Sequence, residues 1–171
     1  MKITKKNTVF FHVHTKYRER NAPTQLGAVH AGSEKSFSFI FKHGRGISTG
    51  LKSFLAFLRS VNGGKPVVLA GHNAHRFDKQ VLEIAAKKTR VRIPPSLVKA
   101  YCDTLPAIKK NCKLKKNTLD DLAKTFSERR MRHDALKDSE MLKRVTAKAQ
   151  IISGMKTMSF FFNGSCKPNL G

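Results

Sequence analysis

Hydrophobic and polar positions change period along this chain, and each change marks an element. Residues 8–14 are an apolar run rich in β-formers, and residues 25–31 and 36–41 read as two further strands around the turn Gly32-Ser33-Glu34, an antiparallel meander. Over residues 47–61 the period lengthens: Leu51, Phe54, Leu55 and Leu58 recur at helical spacing until Asn62-Gly63-Gly64 stops the helix. A buried strand follows at 66–70. Beyond Gly71, Phe77, Val81, Leu82 and Ala85 mark one face of a helix running to about Lys87, and Arg92-Ile-Pro-Pro-Ser96 turns the chain back. Residues 98–102 read as a last strand and 104–112 as a short helix interrupted near Pro106. Residues 118–126 read as a helix N-capped by Asn117, and a closing helix runs from His133 to about Lys148. Strands first, then strands alternating with helices, predict an α/β domain with a mixed sheet and helices on both sides. That domain spans residues 7–148. The tail, 149–171, holds Ser159-Phe-Phe-Phe162 between Gly-Ser and Lys-Pro breaks and reads as either an extra edge element or a disordered end.

Charge narrows the partner. Among 171 residues, 34 Lys and Arg face 11 Asp and Glu, a net charge of +23 whose field attracts polyanions. Nucleic acid is the partner this predicts, ahead of an anionic membrane surface or a solvated basic coat. The densest cluster is Lys109, Lys110, Lys113, Lys115 and Lys116, read as a phosphate-tracking patch; a second is Arg129, Arg130 and Arg132. No apolar run approaches the roughly 20 residues of a membrane helix, and no cleavable signal is present, so no membrane partner and an intracellular location are expected. Cys102, Cys112 and Cys166 match no zinc or redox spacing and read as reduced, structural thiols. Nothing in the pattern sets an oligomeric state or separates DNA from RNA.

Three stretches carry candidate chemistry: Phe10-Phe-His-Val-His-Thr15, Leu69-Ala-Gly-His-Asn-Ala-His-Arg-Phe-Asp78 and His133-Asp-Ala-Leu-Lys-Asp138, with Tyr101-Cys-Asp-Thr104 between the last two. Taken in order they resemble the DnaQ-like, DEDDh 3′-5′ exonucleases of ribonuclease-H-like fold. The spacing from His72-Asn73 to Phe77-Asp78 is similar to the Trex-type enzymes. Leu51-Lys-Ser-Phe-Leu-Ala-Phe-Leu58 and Leu114-Lys-Lys-Asn-Thr-Leu-Asp-Asp-Leu-Ala123 resemble the exonuclease-like C-terminal region of promyelocytic leukaemia protein. The resemblance implies a nuclear location and a site where carboxylates hold two divalent ions, Mg²⁺ or Mn²⁺, about 4 Å apart on a phosphodiester. It implies Asp78 and Asp138 as metal ligands and His133 as the base that takes a proton from the attacking water.

The first stretch departs from that pattern. His12 and His14 stand where the family has Asp and Glu, so two anionic oxygen donors become two imidazoles. Magnesium prefers oxygen donors, and Mg²⁺-dependent cleavage is expected to be lost or weak. His12 and His14 share one strand face, and with Asp78 and Asp138 they form an N₂O₂ set that suits Zn²⁺ or another transition ion. Three functions are therefore open: a domain that grips single-stranded DNA or RNA 3′ ends without efficient cleavage, an active exonuclease using a transition ion, or a protein-interaction module on a nuclease fold. Simpler roles compete at single residues. Asp78 can cap its helix, His72 and Asn73 can hold the turn after the strand, His75 reads as a solvated loop residue, and Asp103 as a helix cap.

Overall fold

A computed structural model describes residues 2–16, 19–42, 46–128, 134–156, 160–161 and 165–170. The elements run β1 (Thr8–Thr15), β2 (Pro23–His30), β3 (Ser36–Ile40), α1 (Ile47–Val61), β4 (Val67–Gly71), α2 (Asp78–Thr89), β5 (Val98–Asp103), α3 (Thr104–Cys112), α4 (Leu119–Thr125), α5 (Ala135–Ser153) and β6 (Cys166–Pro168). The sheet order is β3-β2-β1-β4-β5-β6. The β1–β2, β2–β3 and β5–β6 pairs are antiparallel, while β1–β4 and β4–β5 are parallel. The mixed sheet expected from the hydrophobic pattern is thus observed.

Alternation along the strands divides the interior in two. Val9, Phe11 and Val13 face one way, with Leu69, Val81, Leu82 and the α1 residues Leu51, Phe54 and Leu58. Phe10 faces the other way, with Val68, Ala70, Ile108, Leu122 and the α5 residues Met141, Leu142 and Val145. Each such side chain, fully buried, contributes about 1.5–3 kcal/mol. His12 and His14 continue the Phe10 face, because side chains two apart on a strand point the same way. They therefore project toward α5.

Four local features differ from the sequence expectation, each for a stated reason. Pro106 does not interrupt α3: it is the third residue of the helix, where backbone N–H groups have no intrahelical acceptor to lose. The N-cap of α4 is Thr118, whose hydroxyl accepts from the Asp121 amide; Asn117 instead donates its side-chain amide to Leu114 O. Helix α5 starts at Ala135, capped by Asp134, and runs to Ser153, where Gly154 at φ 63° closes it. Cys102 and Cys166 are not reduced thiols but a disulfide, joining directly paired positions of β5 and β6 with a Cα–Cα distance of 4.0 Å. Cys112 is a free thiol, and burial raises its pKa, which makes it a poor nucleophile. No helix among the described residues is long and apolar enough to cross a membrane.

Candidate metal and nucleic-acid site

The parallel ladder between β1 and β4 stops at the pair Phe10↔Ala70, yet β1 runs on to Thr15. Past that point no strand among the described residues lies beside that edge of β1. The Val13 amide, which a continued ladder would have used, donates instead to Asp78 Oδ1 at 2.8 Å. Asp78 thereby ties the start of α2 to the open end of β1; its carboxylate does not serve as a cap for its own helix. Its other oxygen, Oδ2, has no hydrogen-bond partner among the described residues, although the residue is only 1% exposed. A buried carboxylate oxygen without a donor is costly unless a cation or proton meets it.

On the other side of the same strand end, α5 presses its first turn onto β2. Gly27, paired with His12 in the β1–β2 register, makes this possible: a Cβ there would fall inside the backbone of Ala135 and Leu136. Gln25 Oε1 accepts from the Ala135 amide at 3.0 Å, which pins the helix to the strand it touches, and the single Ser139 hydroxyl proton is shared between Ala135 O at 2.8 Å and Gly27 O at 3.0 Å. Asp138, one turn into the helix, is carried down to the histidines.

Four side chains named from the sequence therefore converge. His12 Nδ1 lies 3.1 Å from Asp78 Oδ1, and His14 Nε2 lies 3.0 Å from Asp138 Oδ2. His12 Nε2 stands 3.8 Å from the same Asp138 oxygen, so His12 spans the two acids. The two rings meet edge to face with centroids 5.1 Å apart. Both histidines are about one fifth exposed, whereas both acids are buried, so the cluster opens to solvent through its imidazoles. One donor atom from each of His12, His14 and Asp138 falls within a span of 4.8 Å, a set that could hold a metal ion. Asp78 lies outside that set of three and reaches it through His12.

The turn from β4 to α2 is built from a second group, two histidines and one acid. Asp103 Oδ1 accepts from the Asn73 amide at 2.8 Å and from the Leu105 amide at 2.9 Å, and Oδ2 accepts from the His75 amide at 3.2 Å. One carboxylate thus caps α3 and also holds the turn, with Asn73 in the left-handed region at φ 59°. His72 Nε2 donates to Asn117 O at 2.7 Å, and its Nδ1 lies 2.8 Å from Thr104 Oγ1. Burial lowers the His72 pKa, against the Asn117 bond and the Asp103 charge, so the ring is held neutral. His75 is not a solvated residue: its Nε2 donates to Ser165 O at 2.9 Å, which joins the turn to the segment before β6.

Sequence reasoning placed His12, His14, Asp78 and Asp138 in one site, and the structure brings them together. It missed Gly27, Gln25 and the wider role of Asp103. A glycine inside a β-strand pattern was the available signal for a close backbone approach. Lys109, Lys110, Lys113, Lys115 and Lys116 are all exposed, on the last turn of α3 and the segment after it, which His72 fastens to the end of β4. His133, Arg129, Arg130 and Arg132 lie outside the described residues.

No protein-family model and no curated protein matches the chain. Solved structures do. Escherichia coli exonuclease I in complex with a dA16 oligonucleotide is similar at a TM-score of 0.61 and 16% identity, over 91% of this chain and 42% of that one. The nuclease domain of 3′hExo, a DEDDh family member bound to rAMP, is similar at 0.63 and 13%, over 87% and 94%. Exonuclease X in complex with 5′-overhanging duplex DNA is similar at 0.57 and 16%, over 90% and 96%. The chain spans less than half the length of exonuclease I and is comparable in length with the other two. At these identities the likeness establishes the fold: a ribonuclease-H-like α/β sheet as found in the DnaQ-like 3′-5′ exonucleases.

Proposed function

We propose that this chain is an exonuclease-type domain that grips single-stranded DNA or RNA at a 3′ end and does not cleave it efficiently with Mg²⁺. The observation that carries the proposal is the donor set at the end of β1. Two imidazoles stand there beside two acids, and Asp78 already spends one oxygen on a backbone amide. Mg²⁺ takes oxygen donors in octahedral geometry, and a pair of such dications needs more anionic charge than two carboxylates supply. The residues present do not fit that group. The net charge of +23 favours a polyanion, and similar structures include exonuclease I with dA16 and exonuclease X with a 5′-overhanging duplex. In this reading Lys109, Lys110, Lys113, Lys115 and Lys116 track phosphates, Arg129, Arg130 and Arg132 pair with them near the strand end, and His133 sits over the scissile position. An intracellular, nuclear location goes with that reading.

A second reading has its own support. The donor atoms of His12, His14 and Asp138 lie within 4.8 Å of one another, and Asp78 Oδ2 is buried without a partner among the described residues. Nitrogen and oxygen donors in such a set suit Zn²⁺ or Mn²⁺, and a zinc-bound form of the Escherichia coli exonuclease I complex with single-stranded DNA is among the similar structures.

The two readings separate in one experiment. Single-stranded and 3′-recessed oligonucleotides are incubated with the protein in Mg²⁺, Mn²⁺ or Zn²⁺, with the Asp138→Ala variant alongside. Salt-sensitive binding with no shortening in Mg²⁺ is expected. Stepwise 3′ shortening in Mg²⁺ that disappears in Asp138→Ala would overturn the first reading, and shortening confined to Mn²⁺ or Zn²⁺ would select the second.

A further inference from the structure

The sheet face opposite the histidines carries a second recess. The last turns of α2, residues 91–93 and Asn169 enclose a pocket of about 480 Å³ over the ring of Tyr101. Tyr101 is 1% exposed, its ring packs edge-on against Phe11 at 6.4 Å, and Lys79 Nζ stands 5.5 Å from the ring centroid. Tyr101 lines the pocket, and its hydroxyl makes no hydrogen bond to another described residue, which leaves it open to a ligand there. Burial, and after it the charge of Glu83, raises the Tyr101 pKa far above its ordinary 10.0, so the hydroxyl keeps its proton and can only be recruited as a neutral donor or acceptor.

The rim supplies the opposite electrical character. Lys87, Arg90 and Arg92 line the pocket, all exposed, and none has an acidic partner among the described residues. The acid at the rim, Glu83, is already paired with Lys79 at 2.7 Å, so no acid among the described residues is left for the three cations. The helix dipole accounts for basic residues at Lys87 and Arg90, near the C-terminus of α2. It does not account for Arg92, beyond the helix, or for an open phenol beneath. Val91 and Ile93, both buried, give the pocket apolar walls next to the charged rim.

We propose that this pocket binds a phosphate monoester of nucleotide size. The Arg90 and Arg92 guanidiniums and the Tyr101 hydroxyl take the phosphate, and the Val91 and Ile93 walls take the apolar face of the sugar or base. Guanidinium forks and a neutral hydroxyl suit a phosphate, and about 480 Å³ lies within the range of small-molecule sites. The same group reaches the pocket from two sources, a free nucleotide or the phosphorylated end of a strand. The site is separate from the one at the end of β1, and its test does not depend on the reading given there.

The chain has two tyrosines and no tryptophan, so in a Tyr17→Phe background Tyr101 is the sole emitter. AMP titrated into that protein is expected to change its emission saturably. By calorimetry on the otherwise unaltered chain, Arg90→Ala/Arg92→Ala is expected to weaken AMP at least about tenfold and Tyr101→Phe several-fold. A control that removes the same charge elsewhere, Lys52→Ala/Lys65→Ala, should leave the affinity within about twofold. A 5′-phosphorylated oligonucleotide that shows the same losses where AMP shows no binding would assign the pocket to strand ends, and the reverse would assign it to free nucleotide. Absence of saturable binding by both ligands would overturn the proposal, as would equal losses from the arginine and lysine pairs.

Discussion

Two groups of histidines and aspartates lie at the ends of β1 and β4, and they are built on opposite principles. In the group around Asp103, the contacts of the acid and of both ring-bonded histidines run to backbone amides, backbone carbonyls and one hydroxyl. In the group around His12, ionisable side chains meet one another: His12 with Asp78 and Asp138, and His14 with Asp138. The first arrangement joins segments distant in sequence and, apart from His75 Nδ1, which is buried without a partner among the described residues, its side-chain donors and acceptors are taken up by the fold. The second leaves Asp78 Oδ2 without a partner among the described residues and opens to solvent through two imidazoles. Residue type does not separate a structural cluster from a functional one. The nature of the partners does.

That contrast is broken most severely at Asp103. Asp103→Ala removes the acceptor for three amides at once, at Asn73, His75 and Leu105. Bonds to a charged acceptor contribute about 1.5–3 kcal/mol each and are not additive, so a loss of about 4 kcal/mol is expected in urea unfolding. A loss under about 1 kcal/mol would show that the turn is held by something other than this carboxylate.

Gly27→Ala comes next. The added methyl has no room, because the obstruction is the backbone of Ala135 and Leu136, which cannot rotate away. Helix α5 must withdraw from β2, at a cost of about 2–3 kcal/mol, and Asp138 withdraws with it. Zinc binding measured by competition with a chromophoric chelator should weaken in step with stability if the second reading holds. A variant as stable as the parent would contradict the close packing described.

Asp138→Asn tests the other half of the contrast. The amide oxygen can still meet His14, and one buried charge is removed, so stability should change by less than about 1 kcal/mol in either direction. Any transition-ion binding should nevertheless be lost, since a neutral amide is a poor substitute for a carboxylate ligand. A destabilisation comparable with that of Asp103→Ala would make Asp138 structural and remove the difference between the two groups.

How much of this was legible follows from which interactions are local. Period-two alternation put His12 and His14 on one face of β1, and helical spacing placed α1 and α2 to within a few residues. Both signals are written in adjacent residues. The disulfide joins cysteines 64 positions apart, and only the β5–β6 register brings them together. The Asp103 network has the same character: Asn73 and His75 are 30 and 28 residues away, and nothing nearby in sequence announces them. Caps fell between these limits. Asn117 and Thr118 are both good capping residues, and the choice went to Thr118 because the Asn117 carbonyl is taken by His72. Gly27 was visible but mute, since a glycine in a strand says that something comes close without saying what.

The smallest effect is expected at His72, and its sign distinguishes a structural histidine from a metal ligand. Asn117 O can only accept, so Nε2 carries the proton, and in the neutral ring Nδ1 accepts from the Thr104 hydroxyl, which is fully buried. A second proton would turn Nδ1 into a donor and force that hydroxyl to reverse inside the core. Burial lowers the folded-state pKa below the 6.5 of the unfolded chain, so the unfolded state binds the extra proton first. The contribution is therefore fully present above about pH 6.5 and is lost as pH falls below it toward the folded value. Urea unfolding of the parent and of His72→Gln at pH 7.5 and pH 5.5 isolates this from the other histidines. The parent should lose more stability than the variant on acidification, and equal losses would mean that His72 is not held neutral by its burial.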